Sequence, residues 1–504
     1  MAARAKCLGF GILGALPFAG GLGFQHVYDD HWTIVDNPTL RHPLPEILRA
    51  LWSGRAQGIP DASRPAMVVT AWLDHRLFGA SSVGTHLTSL ALYLACVGAL
   101  ASLAFSLTRS RALAFTTALL WGVMPLHAEA VVSASYREDL LATLGVFAGL
   151  AVVLRPTATP HGWGRAATAA GCFALGLLGK ESGLVLVPLL LALGPWDRAF
   201  WTRRERSLTA LAAVALLYLS WRFGLAVAGD GVARADVSGF AALNASARYV
   251  CWSVWRSATP FETQAFFSDL GDASPLWWLP VLALVGAWVG LRSRAPAVAT
   301  ALAILVIGAW MTSPLIGPVN ERADRYLVIS TAGTALLWAM GVARVVRRLR
   351  RERAWVRPAL IAGPIALALG IQAHLASAVW ANDERLWTHA TEAAPSSPGP
   401  WDGLAWARRQ RRDLDGAERA LARAEALDPD RAQTRLSRAY LLLLTGRREE
   451  AMDVLGQLER EAPPDPAGGP ELRGLSRARR CAGTASDEAM GRCLGERWAT
   501  EARR

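Results

Sequence analysis

Lysine is nearly absent from this chain of 504 residues, which holds two lysines, Lys6 and Lys180, among 53 basic residues. Six cysteines are too few for a disulfide scaffold, and the 45 glycines do not follow the three-residue period of a collagen-like repeat. Charged residues make up only 19% of the chain against 52% hydrophobic residues, which excludes a disordered protein. The formal net charge of +12 is by itself also compatible with a nucleic-acid-binding protein.

The apolar residues are gathered in uncharged runs, such as 184–195, 295–310 and 359–371. With their apolar flanks, several of these runs approach the ~20 residues that cross a bilayer as a helix. The sequence therefore predicts an integral membrane protein with about eleven spanning helices. The predicted spans lie near residues 7–24, 85–105, 112–125, 140–154, 166–179, 183–195, 208–228, 276–291, 295–311, 326–342 and 359–377.

Basic residues occur at every second junction between these spans. These junctions are residues 4–6, 109–111, 155–165, 198–206, 292–294 and 344–357. The positive-inside rule places them in the cytoplasm and leaves the other loops and the C-terminal region outside. From residue 381 onward, 21 basic and 21 acidic residues cancel, so the net charge lies in the first 380 residues. We therefore interpret the charge as membrane orientation and predict a lipid bilayer, not nucleic acid, as its partner.

A repeat follows the last predicted span. Pro395, Pro429 and Pro463 are 34 residues apart. The same spacing separates Ala405 from Ala439, Ala417 from Ala451 and Leu421 from Leu455. This is the tetratricopeptide period, with small residues where paired helices touch and proline after the second helix. Such an array is typically a docking surface for a protein or peptide, although a spacer or lid stays an alternative.

The predicted fold class is all-α, a polytopic membrane helical bundle followed by a short α-solenoid of tetratricopeptide repeats. We expect a membrane domain over residues 1–380 with a first external loop at 25–84, repeats over 381–463 and an Arg-rich tail over 464–504. About two and a half repeats are short for a stable array, so packing against the membrane domain or against the segment around residues 470–504 is expected to complete it. In the tail, Cys481 and Cys493 would be either a disulfide or two free thiols, depending on the compartment.

Ionisable residues stand at four predicted external helix ends, where their burial would be costly and therefore indicates a site. They belong to the sequences YDDHWTIVDNP, PLHAEAVVSASYREDLLA, GKESG and NERADRY. The adjacent Asp29 and Asp30 repel each other, which suits a group that takes up a proton. The cations Arg137, Lys180, Arg322 and Arg325 favour a phosphate at the membrane interface. The alternatives are solvated turns and side chains that extend to the interface.

An acidic pair beside such cations predicts transfer from a phosphate leaving group. The base activates an acceptor hydroxyl and the cations stabilise the departing phosphate. Residues alone therefore favour a lipid-phosphate-dependent transferase.

The order of these motifs resembles the transmembrane and tetratricopeptide repeat-containing family of O-mannosyltransferases and its bacterial relatives. The likeness runs from the acidic pair through RPAMVVTAWLDHRLFG, GTHLTSLALYL, PLHAEAVVSASYREDLLA, GKESG and ADRY to the repeats. The family is part of the GT-C superfamily of polytopic glycosyltransferases. Two positions depart from it: many relatives have Gly-Arg-Lys-Asp where this chain has Tyr136 to Asp139, and Leu327 to Ile329 replace an expected tyrosine-leucine-proline.

The resemblance implies a donor that is a polyprenyl- or dolichyl-phosphate sugar, such as polyprenyl-phosphate mannose. No other cofactor is expected, and no divalent metal is predicted, since the sequence has no compact cluster of metal ligands. The resemblance also implies that an aspartate of the first external loop is the catalytic base, with Asp30 slightly preferred over Asp29. It places Arg325, Lys180 and Arg137 at the donor site, and Arg322 joins them as a predicted phosphate-binding residue because of its position among the cations. The supporting polar residues would be His127, Glu129, Asp139, Glu181, Arg64 and His86.

The leading hypothesis is inverting transfer of a sugar to Ser/Thr hydroxyls of an extracytoplasmic protein that docks on the repeats. The bias of arginine over lysine is typical of a GC-rich bacterial genome, which would place the protein in an inner membrane with its site in the periplasm. The alternatives are transfer to a lipid-linked or cell-envelope glycan, a transporter, and an inactive scaffold. Charges at helix ends, rather than at broken midplane helices, disfavour the transporter.

Overall fold

The computed structural model describes residues 13–53, 59, 62–195, 197–227, 239–261, 264, 266–267, 274–313, 322–350, 357–461, 470–482 and 487–494. All regular secondary structure in these ranges is helical, as the sequence predicts. The chain forms two compact units. The first is Met1–Thr263 with Asp269–Ala381, and the second is Gln264–Ser268 with Asn382–Arg504.

The described part of the first unit contains α-helices joined by short turns. The helices are α1 (Leu44–Trp52), α2 (Pro65–Phe78), α3 (Ser82–Thr108), α4 (Arg111–Gly122), α5 (Ala128–Val132), α6 (Arg137–Leu154), α7 (Trp163–Gly179), α8 (Leu186–Leu193), α9 (Arg198–Thr202), α10 (Glu205–Val227), α11 (Phe240–Ala258), α12 (Trp278–Arg294), α13 (Pro296–Trp310), α14 (Thr331–Arg350) and α15 (Ala359–Val379). Short 3₁₀ or π-helical segments lie at Leu16–Gly23, His31–Val35, Pro38–Arg41, Pro125–His127, Ala134–Tyr136, Glu181–Val185, Pro275–Trp277 and Asp324–Leu327.

Three of the described helices are long and apolar enough to cross a membrane. They are α3, α12 with its preceding turn, and α15. A fourth span results if α4 is counted with Pro125–Val132, which continues it after a bend of 58°. The eleven predicted segments all overlap helices in their described parts, but the count of eleven spans exceeds these three or four and stays a prediction.

A short length, or charged residues at one end, explains why other helices are not long and apolar enough to count as membrane spans. The eight residues of α8 measure about 12 Å at the rise of an α-helix, against a hydrocarbon core of about 30 Å. Helix α6 has 18 residues but starts with three charged side chains, Arg137, Glu138 and Asp139. The charged start of α6 therefore forms part of a polar region at the helix ends.

Helices α6 and α7 are antiparallel neighbours that approach closely through glycine. A Cβ atom on Gly145 of α6 would lie 2.5 Å from the carbonyl oxygen of Cys172 and 2.6 Å from Cα of Gly176, both in α7. Such backbone contact is typical of helix pairs in membranes, where small residues replace the hydrophobic effect as the basis of packing. The crossing places the first turn of α6 beside Lys180, which caps the end of α7.

The second unit is a solenoid of paired helices. It contains α16 (Asp383–Ala393), α17 (Pro398–Gln410), α18 (Leu414–Leu427), α19 (Ala432–Leu444), α20 (Arg448–Glu461), α21 (Pro470–Cys481) and α22 (Asp487–Leu494). The repeated alanines and leucines at positions 405, 417, 421, 439, 451 and 455 are all buried. The 34-residue period therefore marks the contacts between paired helices, as the sequence predicts.

The last two helices complete the core of the array. Ala478, Cys481, Met490 and Leu494 pack against α19 and α20. Cys481 and Cys493 form a disulfide that joins α21 to α22. The C-terminal segment, one of the two that the sequence offers for completing the array, thus supplies helices that cover the end of the repeats.

Candidate active site

The two adjacent aspartates stand in very different surroundings. Asp30 is fully buried and accepts hydrogen bonds from Ser133 Oγ at 3.0 Å, from the Ser135 amide at 2.7 Å and from the Val27 amide at 3.3 Å. These bonds tie the first loop to the segment before α6. Asp30 therefore anchors the turn.

Asp29 is partly exposed and accepts one hydrogen bond on each carboxylate oxygen. The donors are the hydroxyl of Tyr136 at 2.9 Å and Nε1 of Trp32 at 3.2 Å. Each oxygen keeps a further lone pair for a ligand. Partial burial raises the pKa of Asp29 above its usual value, while the Tyr136 hydrogen bond and the Arg325 charge oppose that rise. Of the two aspartates, Asp29 has the contacts of a group that exchanges a proton.

A chain of buried and partly buried ion pairs lies next to this turn, and we call it the ion-pair network. Its members are Glu129, Arg325, Asp139, Lys180, Glu138, Arg64 and Glu181. Lys180 is central, since its Nζ lies 2.8 Å from both oxygens of Asp139 and 2.9 Å from Glu138. The network joins motifs that are far apart in sequence, which confirms that their charged residues meet in space.

Arg325 and Arg64 are the other two cations of the network, and each contacts two carboxylates. Arg325 is paired with Glu129 through Nη1, and its Nε lies 3.9 Å from Asp139. Arg64 contacts Glu138 at 2.5 Å and Glu181 at 3.5 Å. Each member lies at a helix end or in a short turn. The network therefore forms one polar layer where α6 begins and α7 ends.

The formal charge of the network differs from the cationic surplus that the sequence indicates. Three cations face four carboxylates, so the sum is −1 when all are ionised. A phosphate would therefore have to replace a carboxylate as the partner of a cation, or enter with a proton or a cation. The cavity beside Asp139, Arg325 and Tyr326 has a volume of about 10 Å³, room for about one water molecule. A group larger than a water molecule would therefore fit here only if side chains of the network move.

Tyr136 connects Asp29 to the network. Its hydroxyl donates to Asp29, and the guanidinium carbon of Arg325 lies 3.9 Å from the centre of its ring. A guanidinium over an aromatic face is attractive, more so when it is shielded from water. Tyr136 is therefore a shared contact of the Asp29 carboxylate and the Arg325 guanidinium.

Arg137 lies outside the network, although the sequence groups it with the phosphate-binding cations. It is fully buried, forms an ion pair with Asp74 at 2.7 Å and donates to the carbonyl oxygen of Thr85 at 2.9 Å. Two residues along an α-helix turn by about 200°, so Arg137 and Asp139 face opposite sides of α6. The contacts of Arg137 link α6 to α2 and α3, and this corrects its expected place beside the donor.

The other expected site residues are scattered. His127 is buried between the Tyr93 hydroxyl at 2.7 Å and Thr331 Oγ1 at 2.8 Å, where it links α3 to α14. His86 is buried in α3 with its ring 5.9 Å from that of His26. The guanidinium carbon of Arg322 lies 5.5 Å from the centre of the Trp252 ring. None of these three belongs to the ion-pair network as defined above.

Two features of the site are missing from the sequence-based set. Tyr136 stands inside the PLHAEAVVSASYREDLLA motif, but nothing in the sequence shows that it touches Asp29. The second is a buried pair in which Arg256 of α11 donates to Asp324 through Nε at 2.9 Å and Nη2 at 2.7 Å. Asp324 precedes Arg325 directly, so this pair fixes the turn that carries Arg325. Within the described ranges, no group of three or more His, Cys, Asp or Glu side chains is placed to hold a metal ion.

These features define an all-helical protein with a polar site at its helix ends and a C-terminal repeat array. Residues 408–469 match the family model of the tetratricopeptide repeat. The chain is 27% identical over 191 residues to the protein O-mannosyl-transferase F38B6.6 of Caenorhabditis elegans. The aligned region covers 36% of this chain and 26% of that relative. It is 33% identical over 136 residues to the human protein O-mannosyl-transferase TMTC1, covering 26% of this chain and 15% of that relative.

The mouse protein O-mannosyl-transferase TMTC1 gives a similar result, with 31% identity over 137 residues. No solved structure matches the chain. The chain is thus distantly similar to this group of O-mannosyltransferases and contains a tetratricopeptide repeat region. It spans about a quarter or less of the length of these curated relatives.

Proposed function

We propose that this protein is a membrane glycosyltransferase that moves a sugar from a polyprenyl-phosphate donor to Ser/Thr hydroxyls of an extracytoplasmic protein. The observation that carries the proposal is the contact of both Asp29 and Arg325 with Tyr136, Asp29 at its hydroxyl and Arg325 over its ring. A base close to a phosphate-binding cation suits a reaction in which a hydroxyl attacks a carbon that bears a phosphate. Its relatives are named protein O-mannosyl-transferases, which makes mannose the first sugar to test.

In the proposed reaction the acceptor oxygen forms a bond to C1 of the sugar while the bond from C1 to the phosphate oxygen breaks. Asp29 takes the proton of the acceptor hydroxyl, and the electron pair of the broken bond leaves with the polyprenyl phosphate. A single displacement of this kind inverts the configuration at C1. Asp30 does not contact the reactants but holds Asp29 in place through its bonds to Ser133 and Ser135.

Arg325 and Lys180 are the proposed partners of the donor phosphate. Both are held at helix ends by carboxylates, so a phosphate takes over one of their existing ion pairs on binding. Arg offers paired donors to a phosphate, and Lys a compact charge. Exchange of one anion for another avoids leaving a buried cation unpaired, which would be costly.

The proposal places the first unit in the membrane as a GT-C-type bundle of about eleven spans. Its support is the alternation of basic junctions along the sequence and the three helices that pass the length and hydropathy criteria. In a bacterial inner membrane, the Asp29 turn and the repeats would then face the periplasm. The repeat array would bind the acceptor protein, since such arrays present extended surfaces to peptides.

The test is mass spectrometry of periplasmic proteins from cells with and without the gene. We expect O-linked hexose on Ser/Thr sites of a set of proteins only when the gene is present. An unchanged glycoproteome would contradict a protein acceptor and would shift the proposal to a cell-envelope glycan. A variant that lacks residues 382–504 provides the second arm, and loss of protein glycosylation with unchanged release of polyprenyl phosphate would support docking on the repeats.

A further inference from the structure

A second candidate site lies at the end of α6 and α7 that is remote from the ion-pair network. A groove with a volume of about 470 Å³ runs between α3, α6 and α7. This volume is in the range of ligand-binding pockets, about 300–1,000 Å³. Helix α6 has 18 residues from Arg137 to Leu154, so about 27 Å of helix separates its two ends. The groove is therefore distinct from the proposed site of transfer.

The walls and the mouth of the groove differ in chemistry. Ala99 of α3 and Ala148, Ala151 and Val152 of α6 line its length. Ser102 of α3 and Thr168 of α7 also line the groove, so its wall consists of small side chains, most of them apolar. Arg155, directly after α6, and Arg165, in the first turn of α7, line its mouth.

The two arginines at the mouth have no acidic partner. Neither side chain forms an ion pair within the described ranges, whereas the cations of the ion-pair network are all paired. Arg155 is exposed and Arg165 is partly exposed. Gly164, in the uncapped first turn of α7, lines the same mouth, and the positive end of a helix favours an anion.

Further cations surround the mouth. Arg204 is buried and donates to the carbonyl oxygens of Val153 at 2.7 Å and Arg155 at 3.1 Å, which fixes the end of α6. Arg206 lies 5.5 Å from the ring of the exposed Trp163. An exposed tryptophan beside arginine is typical of a membrane interface. The mouth is therefore a positive region at the depth of lipid headgroups.

We propose that this groove binds an anionic phospholipid, with the phosphate at Arg155 and Arg165 and an acyl chain along Ala99, Ala148 and Val152. The occupant follows from the two chemistries that the groove combines, because a lipid is apolar along its length and negative at its head. The sequence predicts that residues 155–165 face the cytoplasm, where anionic lipids attract basic residues near the membrane. The proposal does not depend on the glycosyltransferase activity.

The test is native mass spectrometry of the purified full chain with phosphatidylglycerol as the probe and phosphatidylcholine as the zwitterionic comparison. The double variant Arg155→Gln/Arg165→Gln is matched with Arg109→Gln/Arg111→Gln, which removes two basic residues from another predicted cytoplasmic junction. We expect phosphatidylglycerol to bind about tenfold more weakly to the first variant and unchanged to the second. Equal weakening in both variants would show attraction to surface charge in general and would overturn the proposal.

Filling the groove gives an independent arm that leaves every charge in place. Ala148→Leu puts a larger side chain in the wall, and we expect it to lower phosphatidylglycerol binding as well. Unchanged binding by this variant, or equal binding of phosphatidylcholine and phosphatidylglycerol by the wild type, would contradict a built lipid site. The thermal midpoint of each variant is measured beside the wild type, and only variants with an unchanged midpoint are compared.

Discussion

Asp29 and Asp30 are neighbours in the sequence but differ in every contact that they make. Three donors, from Val27, Ser133 and Ser135, hold Asp30 in a buried pocket. Asp29 has the donors Tyr136 and Trp32 and keeps an accessible side. The motif of two adjacent acids therefore contains one anchor and one group with free lone pairs, and only the contacts tell them apart. We accordingly assign the proposed base to Asp29, against the slight preference for Asp30 from the sequence.

The Tyr136 hydroxyl should set the pH dependence of transfer. It donates to the charged form of Asp29 and thereby lowers the pKa of that carboxyl against the rise caused by burial. Loss of the bond in Tyr136→Phe should raise the pKa, and since the reaction needs the carboxylate, the acidic limb of kcat should move to higher pH. We expect a shift of about one pH unit, the equivalent of one hydrogen bond to a charged group.

The measurement is the pH profile of kcat for the wild type and Tyr136→Phe, with Trp252→Phe as an aromatic control outside the Asp29 turn. A parallel drop in kcat at every pH, without a shift of the limb, would contradict this role of Tyr136.

Arg137 should matter for stability and not for donor binding. It is fully buried and paired with Asp74, and removal of one partner of a buried ion pair costs about 3–5 kcal/mol. We expect Arg137→Gln to lower the thermal midpoint strongly, and the double variant Arg137→Met/Asp74→Leu to recover most of the loss. Thermal unfolding of the three proteins in one detergent checks this. A normal midpoint in Arg137→Gln combined with a raised KM for the donor would place Arg137 at the phosphate instead.

The sequence locates the charged motifs but not their pairing. Lys180, Arg325, Glu129, Asp139 and Glu181 are all expected site residues, and all lie in the ion-pair network. A charged residue at the end of an apolar run is visible in the local sequence, which is why the sequence identifies these residues. Whether a cation has an acidic partner depends on the packing of distant segments, and so the sequence suggests a cationic cluster where the structure has a balanced one.

At the scale of the helices, the contact between α6 and α7 supports the site because it holds the start of α6 beside Lys180. A Cβ atom on Gly145 would collide with the backbone of α7. We expect Gly145→Ala to force the helices apart, lower the stability by about 1–3 kcal/mol and reduce transfer. In contrast, a Cβ atom on Gly171 of α7 meets no atom within 4 Å. Gly171→Ala should raise the stability by about 0.5–1 kcal/mol, since glycine is a poor helix former.

Thermal unfolding of Gly145→Ala and Gly171→Ala beside the wild type measures both effects. Equal shifts in the same direction would contradict a close crossing at Gly145.

Apolar runs in the sequence predict where helices form better than they predict how many of these helices span the membrane. Helix α3, with 27 residues, follows directly from its apolar run. Helix α11 was not predicted, because its sequence FAALNASARYVCWSVWRSA mixes polar and aromatic residues and lacks an uncharged run. It is nevertheless buried along one side and carries Arg256, the partner of Asp324. Helices that are covered by other helices do not need the composition of a membrane span.

At the scale of the whole molecule, the repeat period predicts the second unit well. The period marks the contacts within the array, but the ends of an array have no period. The sequence therefore indicates the segment around residues 470–504 only as one of two ways to complete the array and does not give the helices α21 and α22 themselves. Their burial against α19 and α20 answers the question of how so short an array is stabilised.

The disulfide between Cys481 and Cys493 should strengthen this end of the array. It closes a loop with a sequence separation of 12, and a loop of that size contributes about 2–3 kcal/mol. We expect Cys481→Ser/Cys493→Ser to increase hydrogen exchange in α21 and α22 of the full chain, with little change in α16. The wild type treated with a reductant should behave like the variant. Equal protection of α21 in all three samples would show that packing alone holds the cap.

The most direct test of the central claim compares Asp29→Asn with Asp30→Asn in a purified transfer assay. The assay uses a labelled polyprenyl-phosphate mannose and a Ser/Thr peptide, and it measures kcat together with donor binding and the thermal midpoint. The account predicts that Asp29→Asn lowers kcat by about 10²–10⁴-fold, the usual contribution of a general base, with donor binding and midpoint nearly unchanged. It predicts that Asp30→Asn lowers the midpoint as well, because a buried anchor is lost. Full transfer by Asp29→Asn would contradict the account.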